Sequence, residues 1–143
     1  MAISHAVTEG ARPTALVVED EEVIGRYLAD TLDDMGFHAS AVCTCEEALE
    51  VTASHGEFTV AFVDLALPDR SGLELIAELK ARQPNLPVVI ASGYGAMAVN
   101  DIDDNNQPPP VLCKPYDAKV VAAVLAQLGI NIPNAPDNYS FPA

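Results

Sequence analysis

The run Thr59-Val60-Ala61-Phe62-Val63 leads without a break into Asp64. Residues this apolar or β-branched leave no polar face, so a strand made of them must be covered on both sides. Such a strand sits in the middle of a parallel sheet, and that restricts the chain to α/β architectures. The loop residues Leu65 to Ser71, with Pro68, Asp69 and Ser71 among them, close the strand before Gly72 and leave Asp64 at its carboxyl end. In open α/β sheets, ligands and chemistry gather at that edge. Taken alone, Asp64 is equally a residue that starts a turn. The other strand ends decide between the two.

Thr14-Ala15-Leu16-Val17-Val18 is a second buried-strand run, and it ends in Glu19-Asp20. From Glu21 to Met35 the apolar residues Val23, Ile24, Tyr27, Leu28, Leu32 and Met35 recur at helical spacing. Asp20 is the expected N-cap, with Glu21 and Glu22 in the first turn and Gly36 as the stop. Phe37 to Cys43 reads as a short strand. Thr44 and Glu47 form a capping-box pair for a helix reaching about Ser54. The central strand is expected over 58–64, an amphipathic helix over Gly72 to Arg82, and a fourth strand over Leu86 to Ala91. The Ser92-Gly93-Tyr94-Gly95 turn follows. Ala96 to Val99 has the makings of one helical turn, and the acidic, Asn-rich 100–107 reads as a loop. Val111-Leu112-Cys113 is the fifth strand. Asp117 caps a last helix from Ala118 to Leu128, closed by Gly129. Five strands alternating with helical segments predict (βα)5: one doubly wound parallel sheet with right-handed crossovers and helices on both faces. Residues 1–13 read as a flexible leader, 14–129 as the domain, and 130–143 as a tail too short for an output domain.

Parallel strands bring their carboxyl ends to one edge, so Glu19, Asp20, Asp64, Ser92 and Lys114 converge there. Carboxylates drawn together repel, and a hard divalent ion such as Mg²⁺ relieves them. A hydroxyl at Ser92 and an ammonium at Lys114 supply the donor and the counter-charge that phosphate oxygens need. With its charge shielded, Asp64 can attack a phosphoryl group and hold it as an aspartyl phosphate. Each member also has a plainer role: Asp20 as a cap, Glu19 as a solvated strand end, Ser92 as a turn hydroxyl, Lys114 as an exposed residue. Their joint arrival in strand order favours the chemical reading.

Several function classes drop out. Neither G-x-G-x-x-G nor a Walker A sequence is present, which removes most dinucleotide and nucleoside-triphosphate readings. The formal net charge is −14, whereas nucleic-acid binding needs a basic face and anionic membranes repel an acidic one. No apolar run reaches the ~18 residues of a membrane helix, and residues 1–13 lack the apolar block of a signal peptide. Cys43, Cys45 and Cys113 have no zinc spacing and read as reduced thiols. The expected compartment is the cytoplasm.

From about Thr14 to Leu128 the chain resembles the receiver domain of bacterial two-component response regulators. The matching pieces are Leu-Val-Val-Glu19-Asp20-Glu21, Val-Asp64-Leu-Ala-Leu-Pro-Asp-Arg-Ser-Gly72, Ile-Ala-Ser92-Gly and Cys-Lys114-Pro-Tyr. The resemblance implies a flavodoxin-like strand order 2-1-3-4-5. It makes Asp64 the phosphoacceptor, and Glu19 and Asp20 the acidic pair that holds Mg²⁺ together with Asp64 and the Ala66 carbonyl. It makes Ser92 the switch hydroxyl and Lys114 the phosphate contact, with a cis Lys114–Pro115 bond. It implies a sensor histidine kinase or phosphotransfer protein as the phosphodonor.

One departure stands out. The family's rotating aromatic lies three residues before the lysine, where this chain has Val111. The Ile90-Ala91-Ser92-Gly93-Tyr94-Gly95 turn looks like the Phe-Ala-Thr-Gly-hydrophobic-Tyr variant of a subfamily that is often stand-alone. Tyr94 then takes part of the switching role. The expected function is a single-domain regulator that signals through protein contacts to a target the sequence does not name. It would catalyse only its own phosphorylation and dephosphorylation. The alternatives are a phosphate sink in a phosphorelay and a phosphorylation-independent interaction module. A D-x-D phosphohydrolase lacks its second Asp, since residue 66 is Ala.

Overall fold

The computed structural model describes residues 12–92, 110–114 and 116–134. Its strands are β1 (Thr14–Val18), β2 (His38–Val42), β3 (Val60–Asp64), β4 (Val88–Ser92) and β5 (Val111–Cys113). The described helices are α1 (Glu22–Asp34), α2 (Cys45–His55), α3 (Gly72–Arg82) and α4 (Ala118–Gln127). All strand pairs are parallel, in the order β2-β1-β3-β4-β5. The expected α/β sheet and its order are therefore both present.

Alternation along each strand explains the two covered faces. Ala15, Val17, Val60, Phe62, Val89 and Leu112 point to one side, where they meet Leu28 and Leu32 of α1 and Val121, Val124 and Leu125 of α4. Leu16, Val18, Ala61, Val63, Val88 and Ile90 point to the other, against Cys45 and Ala48 of α2 and Leu75, Ile76 and Leu79 of α3. Every residue of β3 is buried, as its unbroken apolar run requires. Burying one side chain the size of Phe62 or Leu16 stabilises the fold by roughly 1.5–3 kcal/mol.

Helix ends largely follow local chemistry. The Thr44 hydroxyl accepts from the Glu47 N–H at 3.1 Å. The Glu47 carboxylate accepts from the Cys43 N–H, one residue earlier than a standard capping box. Asp117 caps α4 by accepting from the Val120 N–H. The expected Asp20 cap is corrected: α1 begins at Glu22, and Glu21 occupies the cap position without a side-chain bond. The physical reason lies in the cluster that Asp20 forms with Glu19 and Asp64. Packing also continues past Gly129. Ile130 and Ile132 join the α1/α4 core, and Asn134 bonds the Asp34 and Met35 carbonyls at the end of α1.

The order β2-β1-β3 makes the chain leave β1 in one direction and return on its other side at β3. This reversal opens a crevice between the carboxyl ends of β1 and β3, where Glu19, Asp20 and Asp64 emerge. The loop after β3 is drawn tight across that edge: the Gly72 N–H donates to the Leu65 carbonyl at 3.0 Å. A Cβ at Gly72 would stand 2.3 Å from the Asp64 carbonyl oxygen and 2.7 Å from the Leu65 Cα. Both obstacles are backbone and cannot swing aside. Gly72→Ala is therefore expected to destabilise the domain by at least about 2 kcal/mol, measured by urea unfolding.

Candidate functional site

Glu19 leaves β1 at the crevice and is only 3% exposed. Its amide donates to the Val42 carbonyl at 3.0 Å, continuing the β1–β2 ladder by one residue. Its Oε2 accepts from the Glu21 N–H at 3.1 Å. Asp64 is buried at the end of β3, and its Oδ1 accepts from the Ala66 N–H at 3.0 Å. Asp20 is exposed at the mouth. Carboxylate oxygens of Glu19, Asp20 and Asp64 all lie within 4.8 Å of one another.

Lys114 follows β5 and reaches across the crevice. Its Nζ stands 2.6 Å from Glu19 Oε1 and 3.1 Å from Asp64 Oδ2. The contact to Asp64 is a hydrogen bond. Glu19 Oε1 is buried, and the Lys114 ammonium is its ion-pair partner. Burial pushes the Glu19 carboxyl up to about 7, with the Lys114 contact and the Glu21 amide opposing the rise and the Asp64 charge adding to it. For Lys114 burial disfavours the ammonium, but Glu19 and Asp64 outweigh that and its pKa is raised.

Three carboxylates against one ammonium leave two negative charges when all are ionised. One divalent cation cancels them. The donors are hard oxygens, few in number, beside an open mouth, which is the set Mg²⁺ accepts while keeping waters. The one ammonium leaves the carboxylates of the cluster in excess, which is the imbalance that a divalent cation satisfies. The residues present therefore fit Mg²⁺.

The remaining expected site residues are placed as follows. Ala66 lies on the loop after β3, where its N–H holds Asp64. Ser92 ends β4 and is paired with Cys113; its side chain is outside the described residues. Val111 opens β5, and its partly buried side chain packs on the α2/α3 face of the core. Tyr94, the Lys114–Pro115 bond and the expected turn and loop of 96–107 lie outside the described residues.

Tyr27 and Tyr116 were not singled out by sequence reasoning. Their rings stand 6.4 Å apart. They line a surface hollow of about 610 Å³ with Val23, Ile24, Glu21 and Lys114. Val23 is 82% exposed and Tyr27 46%. Burial, then the Glu19 charge, pushes the Tyr116 phenol up to about 12, so it stays protonated. The Lys-Pro-Tyr sequence was the only available signal.

The family model for the response regulator receiver domain matches residues 15–126. The chain belongs to the response regulator receiver domain family. The photosynthetic apparatus regulatory protein RegA of Rhodovulum sulfidophilum is 33% identical over 129 residues, covering 90% of this chain and 70% of that one. The response regulator receiver protein CpdR of Brucella abortus is 27% identical over 101 residues, covering 71% of this chain and 83% of that one. Among solved structures, a sensor protein from Polaromonas sp. JS666 matches with TM-score 0.72 at 31% identity, over 82% of this chain and 95% of that one. A CheY-like receiver domain from Methylobacillus flagellatus matches with TM-score 0.69 at 29% identity, over 82% and 99%. Phosphorylation and Mg²⁺ binding are typical of this two-component family. Among the described residues no helix is long and apolar enough to cross a membrane.

Because the Glu19 carboxyl titrates near 7, a cation that needs it ionised must displace a proton below that pH. Mg²⁺ affinity is expected to be flat well above pH 7 and to weaken below it, by up to about tenfold per pH unit. Calorimetric titrations between pH 6 and 8.5 check this, and Glu19→Gln should flatten the dependence as it weakens binding.

Proposed function

We propose that this chain accepts a phosphoryl group on Asp64 and relays its presence by protein contact. The observation that carries the reading is the Lys114 ammonium, held 3.1 Å from Asp64 Oδ2 at the mouth of a three-carboxylate cluster. Asp64 is held from two sides: Ala66 N–H fixes Oδ1 and Lys114 fixes Oδ2. A carboxylate held this way presents one orientation to an incoming phosphorus.

The donor is a phosphohistidine of a sensor kinase or phosphotransfer protein. A carboxylate oxygen of Asp64 forms the new P–O bond, the P–N bond breaks, and the imidazole keeps the electron pair and takes up a proton. Mg²⁺ bound by Glu19, Asp20, Asp64 and the Ala66 carbonyl would neutralise charge on the phosphoryl oxygens. Lys114 supplies the counter-charge for the oxygens facing β5, and Ser92, at the end of the neighbouring β4, would be the switch hydroxyl. Hydrolysis of the acyl phosphate on Asp64 resets the protein, so the chemistry acts on the chain itself. The chain works in the cytoplasm, and at a net charge of −14 it engages proteins rather than nucleic acid or membranes.

The donor must approach the crevice, and the exposed Val23 and Tyr27 of α1 flank it beside Lys114. They offer apolar contact to a donor protein that a small phosphodonor does not need. A second reading, a phosphate sink, is favoured by Val111, which packs against the core where the family has a rotating aromatic. A sink takes and loses the phosphoryl group with little change of shape.

Intact mass after incubation with Mg²⁺ and acetyl phosphate tests the reading. One phosphoryl adduct is expected on wild type and none on Asp64→Asn; adducts on both would overturn Asp64 as acceptor. Hydrogen exchange of the phosphorylated protein separates the two readings, since a sink leaves the α4/β5 face unchanged. Val23→Asp is expected to slow transfer from a phosphohistidine protein by about tenfold, as loss of one interface contact of 1.4 kcal/mol does. Its rate with acetyl phosphate should match wild type.

A further inference from the structure

The loop between β3 and α3 carries an exposed carboxylate that reaches outside its own neighbourhood. Asp69 Oδ1 accepts from the Cys45 N–H at 3.0 Å, and Oδ2 accepts from the Glu46 N–H at 3.1 Å. These are the first two amides of α2, and Thr44 already caps the Glu47 N–H of the same helix. The Asp69 carboxyl is accordingly held below its usual range, chiefly by the Cys45 amide. The next residue adds to the attachment: the Arg70 carbonyl accepts from the buried Cys45 thiol at 3.8 Å, and the Arg70 guanidinium pairs with Glu74 and Glu78 of α3.

At its other end the same loop carries Ala66, whose N–H holds Asp64 and whose carbonyl is the proposed cation ligand. Ala66 also bridges to Ser71 across the loop. The loop is thus fixed at its base by Asp64 and Gly72 and at its tip by Asp69. The α2 end of the clamp is rigid for a separate reason: α2 follows β2, and the Val42 carbonyl at the end of β2 receives the Glu19 N–H. Asp69 therefore ties the β3–α3 loop, which carries Ala66, to the start of α2, which follows the end of β2 that Glu19 joins.

We infer that Asp69 is a positioning residue, which sets the Ala66 carbonyl and the Asp64 carboxylate relative to Glu19 by clamping the β3–α3 loop to the first two amides of α2. The inference rests on the site proposed above. Asp69 touches neither cation nor phosphoryl group. Its effect is on how far the cation site is formed before the ion arrives.

The test pairs Asp69→Ala with Thr44→Ala. Both remove a cap from the N-terminus of α2, but only Asp69→Ala releases the loop. Wild type, both variants and Asp69→Asn are compared for Mg²⁺ dissociation constant by calorimetry, and for exchange of the Ala66 and Gly72 amides without metal. Asp69→Ala is expected to weaken Mg²⁺ binding roughly tenfold, the low end for loss of a ligand's supporting partner. It should also speed exchange of both amides. Asp69→Asn, which keeps one acceptor oxygen, should fall between it and wild type, and it replaces Asp69→Ala if that variant does not fold. Thr44→Ala should lower the unfolding midpoint yet leave Mg²⁺ affinity and the two amides as in wild type. Equal effects of Asp69→Ala and Thr44→Ala overturn the inference, because the clamp would then be only a helix cap. Unchanged Mg²⁺ affinity in Asp69→Ala overturns it as well. A wild type that binds no Mg²⁺ removes the site reading, and this inference with it.

Discussion

Three carboxylates gathered on one sheet edge against a single ammonium are the constraint from which the site follows. No arrangement of Glu19, Asp20, Asp64 and Lys114 at this spacing is neutral when all are ionised. Burial sharpens the imbalance at Glu19, whose carboxyl rises to about 7 because it is shut away from water. The cluster is held together at an electrostatic cost, and either a proton or a divalent cation relieves it. A surface cluster of the same charges would be screened and would bind a cation weakly. The rigid, apolar sheet is what makes the imbalance persist.

The fold supplies that rigidity. β3 is buried along its whole length and is flanked by β1 and β4 in strict register, so the position of Asp64 is set by packing on both faces. Glu19 is set by one further ladder bond to Val42. The loops are less constrained by packing and rely on polar ties: Ala66 to Asp64, Ser71 to Leu73, Asp69 to Cys45 and Glu46. The site thus has a precise half made of strand ends and a tied half made of loops. Loops of this kind can yield when a charge is added, whereas strand ends cannot.

Much of this was legible in the sequence because the determinants are local. A short, β-branched apolar run closed by turn residues reads as a strand covered on both faces, so β1 and β3 and their terminal acids could be read directly. Thr44 and Asp117 were readable as caps since a cap and the helix it serves are adjacent. The cap reading of Asp20 fails for the same reason: an Asp before a helix satisfies the local pattern of a cap, while its gathering with Glu19 and Asp64 follows from the parallel order of the strands. The contact of Lys114 with Glu19, the tie from Asp69 to α2 and the return of Ile132 to the core depend on which loops the topology brings together. Ile130, Ile132 and Asn134 form no periodic element, so the pattern that reveals helices and strands is silent about them.

Lys114 is the link between the two halves. Its ammonium lies closer to Glu19 than to Asp64, at 2.6 Å against 3.1 Å. It therefore spends its charge on the group that burial penalises most. A divalent cation beside Glu19 would take over that role and leave Lys114 to Asp64 and whatever Asp64 carries. A phosphoryl group there adds negative charge at the point where the ammonium already has a hydrogen bond. Lys114 stands at the carboxyl end of β5, and Tyr116 two residues on packs with Tyr27 of α1. Were Asp64 to carry the phosphoryl group proposed above, its charge would reach the β5 edge of the sheet through the one side chain of Lys114.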